Sequence, residues 1–477
     1  MMENKSLRKD SLGLWAVIFF VVAAASPLTG IVGALPIAFM AGNGAGVPGV
    51  YVIAGLILLV FTFGFVAMSR HVVNAGAFYS YISVGLGRKL GIAGLSLALL
   101  AYTAIQLSVV AMFGFFAAQF CADHLGLTGP WWAFSAVMLV VVLGLGMGKV
   151  ELGGRILGSL MLLEIGIALL TVLGVLLTKG VASLDFNSFT PKLALSGSMG
   201  IAMIFAISSF VGFEATAIYS EECKEPEKVI PRATILAVIL ISLFFATTSW
   251  GFVEMYGQDH VAQVAAKDPG RFVFNVANSV LGGWAVQLMS LLLVTSLFAA
   301  TQAFHNTMSR YLFSIARDGF LWKKMARVHP RFHTPYVASI VQTGMMLVLL
   351  AGVSLAALDP LEGVFAWCSA IGTMSILSLQ GLVSVAVLCF FLRNPHLSGS
   401  RWSTRGAPVL AALGMFGALY MVAAHLDVLS GSNSRTIFLL PYLVGGVALV
   451  GYGLAQYLSW FQPQKYAQLG KIVDSLG

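Results

Sequence analysis

The chain has 477 residues, of which 58% are hydrophobic and only 10% charged, with a mean hydropathy of +0.90. Soluble domains carry about 25% charged residues, so a water-soluble core is excluded and the composition is that of an all-α polytopic membrane protein. The formal charge of +8 does not imply a nucleic-acid partner, because the basic residues alternate from loop to loop.

Apolar runs near the ~20 residues that cross a bilayer fall at about 12–41, 50–69, 90–120, 131–148, 153–178, 198–219, 232–255, 284–316, 335–353, 363–392, 407–426 and 437–461. Twelve transmembrane helices are predicted, in one membrane domain spanning 1–477. The runs at 12–41, 90–120 and 284–316 are long enough to tilt, break or extend into water. With the N-terminus inside, Lys179, Lys192, Lys267, Arg271 and Arg435 lie outside, and the other 22 of 27 basic residues are cytoplasmic. The positive-inside rule then places both termini in the cytoplasm of a cell-membrane protein. Lys5, Arg8 and Lys9 before a run ending in Ala23-Ala24-Ala25 also have the form of a cleavable signal peptide. Cleavage would remove the first helix and reverse the charge bias, so the helix is taken as retained. Cys121, Cys223, Cys368 and Cys389 show no pairing or metal spacing; they are expected to be packing residues, and no metal or cofactor is expected.

The first run carries Ala25-Ser26-Pro27-Leu28-Thr29-Gly30 at mid-span. On the third, Tyr102 and Gln106 are four apart and share a helix face, so they are expected to line a cavity. The fifth holds Glu164 with no basic neighbour, either a structural carboxyl or a proton carrier. The sixth is interrupted by Ser208-Ser209-Phe210-Val211-Gly212-Phe213-Glu214. A carboxylate at mid-membrane costs roughly 3 kcal/mol on the insertion scale, so Glu214 is expected to be retained for a use. Irregular backbone at that depth is tolerated only where protein or water satisfies its polar groups.

Two broken helices five apart have opposite membrane orientation, the signature of an inverted repeat. Helices 1–5 (12–178) would be repeated by helices 6–10 (198–392), with helices 11 and 12 (407–461) appended. Half-helix ends bear partial charges. The outer half of helix 1, beginning near Thr29-Gly30-Ile31, offers N–H groups to a carboxylate. The half of helix 6 ending near Ser208, Ser209 and Phe210 offers carbonyls to an ammonium. Gly30 and Gly212 permit close backbone approach, and Phe210 or Phe213 is expected to close over the ligand. The candidate substrate residues are thus Ser26, Thr29, Gly30, Ile31, Tyr102, Gln106, Ser208, Ser209, Phe210, Gly212 and Phe213, with Glu164 and Glu214 for coupling or gating.

Several of these segments resemble the amino acid–polyamine–organocation (APC) superfamily of secondary transporters, in its bacterial amino-acid permease branch. The resemblance rests on Phe210 to Glu214 with Glu221-Glu222, Pro226 and Ile230-Pro231-Arg232-Ala233, on Asn74-Ala75-Gly76-Ala77-Phe78-Tyr79, and on Phe304-His305-Asn306 with Arg310-Tyr311-Leu312 and Arg317-Asp318-Gly319. It implies a five-plus-five inverted repeat (LeuT-like) with substrate between broken helices 1 and 6, and uptake by alternating access. Many members carry a Gly-Ser-Gly type turn in helix 1, where this chain has Ser26 to Gly30. Pro27 cannot donate a backbone N–H, which weakens the carboxylate contact. Several relatives place a lysine on helix 5 that mimics a coupling sodium ion; Glu164 is not aligned to it.

The expected activity is secondary active import of an amino acid or related amine, coupled to protons rather than sodium because Glu164 and Glu214 can titrate and relatives are often sodium-independent. The expected partners are that small-molecule substrate, the coupling ion and the lipid bilayer. A polyamine or biogenic-amine permease or exchanger is the alternative, although a polyamine needs several acidic groups along its cavity. A channel is disfavoured because the polar residues gather at one point. A membrane acyltransferase rests on His305-Asn306 alone. Ser369, Ser375 and Trp367 on helix 10 are weaker cavity candidates, and Glu221, Glu222, Lys224, Glu225, Glu227 and Lys228 form an expected solvated or salt-bridged hinge.

Overall fold

A computed structural model describes residues 12–72, 77–148, 150–397, 400–426 and 435–468. Lys5, Arg8, Lys9, Asn74-Ala75-Gly76, Lys149 and Lys471, and the side chains of Arg155, Glu221 and Lys465, lie outside that description. The described residues are helical with no strand; one isolated bridge pairs Leu12 with Cys223.

The long helices are α1 Leu14–Ala25, α2 Val47–Ser69, α3 Ala77–Leu86, α4 Arg88–Leu125, α5 Trp131–Met147, α6 Val150–Lys179, α7 Met199–Ser208 and α8 Pro226–Tyr256. They continue as α9 Phe272–Leu281, α10 Gly283–Arg317, α11 Tyr336–Leu355, α12 Ala366–Arg393, α13 Ala407–Ala424 and α14 Leu440–Phe461. Prolines within the first two residues of α2, α8, α13 and α14 start these helices where a missing N–H loses no bond. Ten described segments are long and apolar enough to cross a bilayer. The first, Leu14–Ser69, is 56 residues long, and its backbone leaves helical angles at Ser26 and around Gly42. Trp131–Met147 is apolar but only 17 residues long.

Polarity is distributed as a bilayer requires. Large apolar side chains face outward, as at Leu177, Val348, Tyr420 and Leu449, while Gln106, Glu164, Glu214 and Arg310 are buried. The helix α10 forms the centre: from Ala299 to Ala316 every side chain is buried. Around it, α2 packs along α8, α4 along α12 and α14, and α13 on α12. The half-helix α1 is held between α6, α8 and α10, and α7 packs against α2 and the Ala38–Asn43 stretch. Both interrupted helices are therefore enclosed by protein, where their irregular backbone finds partners away from lipid.

Candidate functional site

The first interruption is at Ser26. Its φ of 49° and ψ of 69° are left-handed, a conformation costing a non-glycine residue about 1–3 kcal/mol unless its surroundings hold it. They do. Ser26 Oγ donates to the Ser296 carbonyl at 3.1 Å and lies 3.3 Å from Ser296 Oγ on α10. Pro27 then opens a new short helix, Pro27–Thr29, followed by a π-helical turn over Gly30–Ala34. The outer half thus begins two residues earlier than expected. Gly30 N–H donates to the Ser26 carbonyl at 3.0 Å and Ile31 is fully buried, so these two are not the open donors expected from the sequence. Because Pro27 has no N–H, the donors without an intrahelical acceptor are those of Leu28 and Thr29. Glu164, 2% exposed, is buried on α6, the helix that packs against this short Pro27–Thr29 segment. Thr29 is left facing inward, its Oγ1 buried without a protein partner.

The second interruption follows α7. The chain turns through Ser209 to Gly212, with Val211 N–H donating to the Ser208 carbonyl at 3.2 Å and Phe213 N–H to the Phe210 carbonyl at 3.2 Å. Gly212 has φ +113°, and a Cβ there would stand 2.7 Å from Ala24 Cβ of α1, so both conformation and space require glycine. A 3₁₀ segment, Phe213–Glu222, continues the chain. Glu214 folds back on the turn: Gly212 N–H donates to Oε2 at 3.0 Å, and Tyr102 Oη donates to Oε1 at 3.1 Å. The second interruption is thus braced by a buried carboxylate standing behind it.

The two interruptions meet. A cavity of about 70 Å³ lies between them, lined by Ser26, Thr29 and Gly30 on one side and Ser208 and Ser209 on the other. Ser108, Phe304, Phe365 and Ser369 complete much of its wall. Ser209 is fixed by hydrogen bonds with Tyr51 Oη, at 3.2 Å, and the Phe205 carbonyl, at 2.8 Å. Tyr51 stacks on Phe245 with ring centroids 5.1 Å apart, and Phe245 lies so close to Gly30 that a Cβ there would come within 2.5 Å of its ring.

Six of the expected substrate residues do not line this cavity. Ile31, Phe210 and Phe213 are buried in the core, Phe213 edge-on to Phe61 at 6.0 Å; the aromatics beside the cavity are Phe304 and Phe365 instead. Gly212 supports the turn from behind. Tyr102 is committed to Glu214, and Gln106 accepts a hydrogen bond from Gln342 of α11. On α4 the lining residues are Ile105, Ser108 and Val109, about one residue's rotation from the face expected. Ser375 and Trp367 stand off the cavity, whereas Ser369 lines it.

Among the described lining residues none is ionised: the wall offers hydroxyls, backbone dipoles and aliphatic or aromatic carbon. Such a surface suits a solute whose charges cancel. A volume of 70 Å³ holds about two waters at ~30 Å³ each, far below the ~300 Å³ of an ordinary small-molecule pocket. Binding a solute of amino-acid size therefore requires the walls to part.

At the C-terminal end of α10, Glu222 is buried against Arg310, the salt-bridged form of the expected cluster and not the solvated one. Glu225 and Lys228 of the same cluster do remain exposed, 2.6 Å apart. Lys228 holds the Glu225 carboxyl below its ordinary pKa. His305 is fully buried on α10, its ring against Gly146 of α5.

The family profile described as amino acid permease matches residues 16–454. The branched-chain amino acid permease BcaP of Bacillus subtilis (strain 168) is 27% identical over 263 residues, 53% of this chain and 52% of that protein. BcaP of Lactococcus lactis subsp. cremoris (strain MG1363) is 23% identical over 428 residues, 83% of this chain and 85% of the relative. The methylthioribose transporter of B. subtilis is 23% identical over 408 residues, covering 82% and 81%. The first of these alignments spans about half the length of its relative. Permeases move solutes without converting them, which leaves His305 no enzymatic role. On the match over residues 16–454, together with an all-helical fold of long apolar segments, the chain is a multi-pass membrane protein and belongs to the amino acid permease family of the APC superfamily.

Proposed function

We propose that the chain imports a neutral amino acid with an apolar side chain across the cytoplasmic membrane, by alternating access and in symport with protons. One observation carries this reading: the cavity at the two helix interruptions presents hydroxyls, helix-end dipoles and apolar carbon, with no ionised side chain among its described lining. The Thr29 N–H and Oγ1 suit the substrate carboxylate, and carbonyls of the Ser208–Phe210 turn suit its ammonium. Ile105, Val109, Phe304 and Phe365 suit an aliphatic side chain. The two relatives named as branched-chain amino acid permeases support the same substrate class. A polyamine fits less well, since it has cationic groups to neutralise and Glu164 and Glu214 stand behind the wall.

We count twelve spans by dividing Leu14–Ser69 around Gly42–Gly46 and including Trp131–Met147. Residues 12–178 and 198–392 then form the two inverted repeats, with 407–461 appended and both termini cytoplasmic. The support is the matched position of the two interruptions and the 22 of 27 basic residues on one side. Alternating access fits a cavity too small for its solute, with Glu214 bracing one of the segments that would move and Glu164 buried on the helix packed against the other.

The test is uptake of labelled L-leucine into proteoliposomes, with counterflow and recovery of unchanged leucine. Putrescine, spermidine and methylthioribose are the competitors. Strong inhibition by a polyamine or by methylthioribose, with none from any L-amino acid, would overturn the amino-acid assignment.

A further inference from the structure

Directly along α4 and α10 from the central cavity lies a second and larger one, of about 430 Å³. On α4 the central cavity reaches Val109, and the second begins at Phe116 and ends at His124. At 1.5 Å per residue the two are separated by about 10 Å, and the far wall lies about 20 Å away. On α10 the second cavity descends from Gly283 to Leu293, stopping one turn before Ser296 beneath the first helix interruption. Met112 and Phe365 converge on Gly33 at the level between them, the Met112 Cε 2.9 Å and the Phe365 ring 3.7 Å from the position a Gly33 Cβ would take. The cavities are stacked, with an apolar plug between.

Its walls differ from those of the central cavity. Asp123 supplies a carboxylate, Arg271 a guanidinium, Gln287 an amide, and Phe116, Phe120 and Phe274 an aromatic surface. A volume of 430 Å³ is in the range of small-molecule sites. Opposite charges in one recess disfavour a simple anion or cation, which would meet repulsion from one of them. A zwitterion pairs with both: carboxylate to the Arg271 fork and ammonium to Asp123, with an apolar side chain against the phenylalanines.

We propose that this cavity is a second amino-acid site, loaded before the solute passes the Met112–Phe365 plug to the central cavity. This rests on the amino-acid reading of the central cavity. Two charged contacts shared with bulk water make it the weaker of the two sites.

The test is equilibrium binding of labelled L-leucine to the full chain in lipid nanodiscs, with the protein concentration known. Two molecules per chain are expected for the wild type, the weaker at least ~10-fold above the tighter in Kd. Asp123→Asn with Arg271→Gln should remove the weaker and keep the tighter. Thr29→Val should weaken the tighter and keep the other. Asp123 and Arg271 are exposed, and an unchanged melting temperature and elution profile would verify that the double variant is folded. One molecule per wild-type chain, or two in the double variant, overturns the second site and leaves the central one standing. No leucine bound by the wild type at all overturns the proposed function, and this site with it.

Discussion

Arg310 and Glu222 form a buried two-point ion pair: Nη2 donates to Oε2 at 3.1 Å and Nε to Oε1, joining α10 to the 3₁₀ segment that follows the second helix interruption. The two side chains are 2% and 4% exposed. Arg310 also donates from Nη1 to the Asn306 carbonyl at 3.2 Å and lies over the Tyr219 ring at 5.1 Å, which in turn stacks on Phe20 of α1 at 5.3 Å. Leu12 N–H donates to the Glu222 carbonyl at 3.1 Å, and Lys224 N–H to the Leu12 carbonyl at 2.9 Å. The three elements that would separate to open this end are thus pinned to one another around a single guanidinium.

Removing one partner of such a pair strands a buried charge, at a cost of about 3–5 kcal/mol, whereas removing both is far milder. Glu222→Gln is therefore expected to melt well below the wild type and to open this end, raising the labelling of a cysteine placed at Ala24. Glu222→Gln with Arg310→Gln should recover much of the loss in melting temperature. Equal melting temperatures for the single variant and the wild type would show that the pair contributes nothing to holding the segments together.

Much of this architecture is legible in the sequence because the bilayer imposes it. Run length and hydropathy give the helices, and a proline and a glycine beside polar residues give the two interruptions at Ser26 and Gly212. What stays hidden is rotation. Consecutive residues on a helix point about 100° apart, so Tyr102 and Gln106 define a face correctly, yet the cavity is lined by Ile105, Ser108 and Val109. Partner choice is hidden too. Glu222 lies in an acidic loop cluster and Arg310 at the end of an apolar run, and only the packing of α10 brings them together. Glu164 shows in the sequence as a buried carboxyl of open purpose, and the structure places it on α6, packed against the Pro27–Thr29 segment.

Glu214 accepts two hydrogen bonds, from Gly212 N–H and Tyr102 Oη. An amide has one acceptor oxygen, so Glu214→Gln keeps shape but loses one charge-assisted bond, worth about 1.5–3 kcal/mol. The variant is expected to insert and fold while uptake falls by at least ~10-fold. Tyr102→Phe removes a single bond and leaves the turn braced by Gly212, so a smaller loss is expected. Wild-type uptake by Glu214→Gln would exclude a part for this carboxylate in transport.

The Glu225–Lys228 pair provides a contrast to the buried one. Its side chains are 62% and 61% exposed, so solvent and salt screen it. The lowered pKa of Glu225 means that any stabilisation is present at neutral pH and fades as pH falls through that lowered value. Lys228→Ala should leave the melting temperature at physiological salt unchanged, and a clear drop would show that the pair holds the loop.

Coupling is expected to act through two buried carboxylates. Glu164 and Glu214 are 2% and 1% exposed; Glu214 accepts from Gly212 N–H at the second helix interruption, and Glu164 is buried on α6, which packs against the Pro27–Thr29 segment of the first. A carboxylate accepts from such a donor with the strength of a charged hydrogen bond, and protonation removes most of that strength. Proton binding from one side would therefore loosen the segment that has to move for the cavity to widen. Uptake into liposomes is expected to follow an imposed gradient, acid outside, with no requirement for sodium. Glu164→Gln, fixed in the neutral form, should lose accumulation driven by the pH gradient while retaining leucine counterflow, since exchange needs no net proton movement. Uptake that requires sodium and ignores the pH gradient would assign the coupling to sodium and leave both carboxylates with a structural part alone.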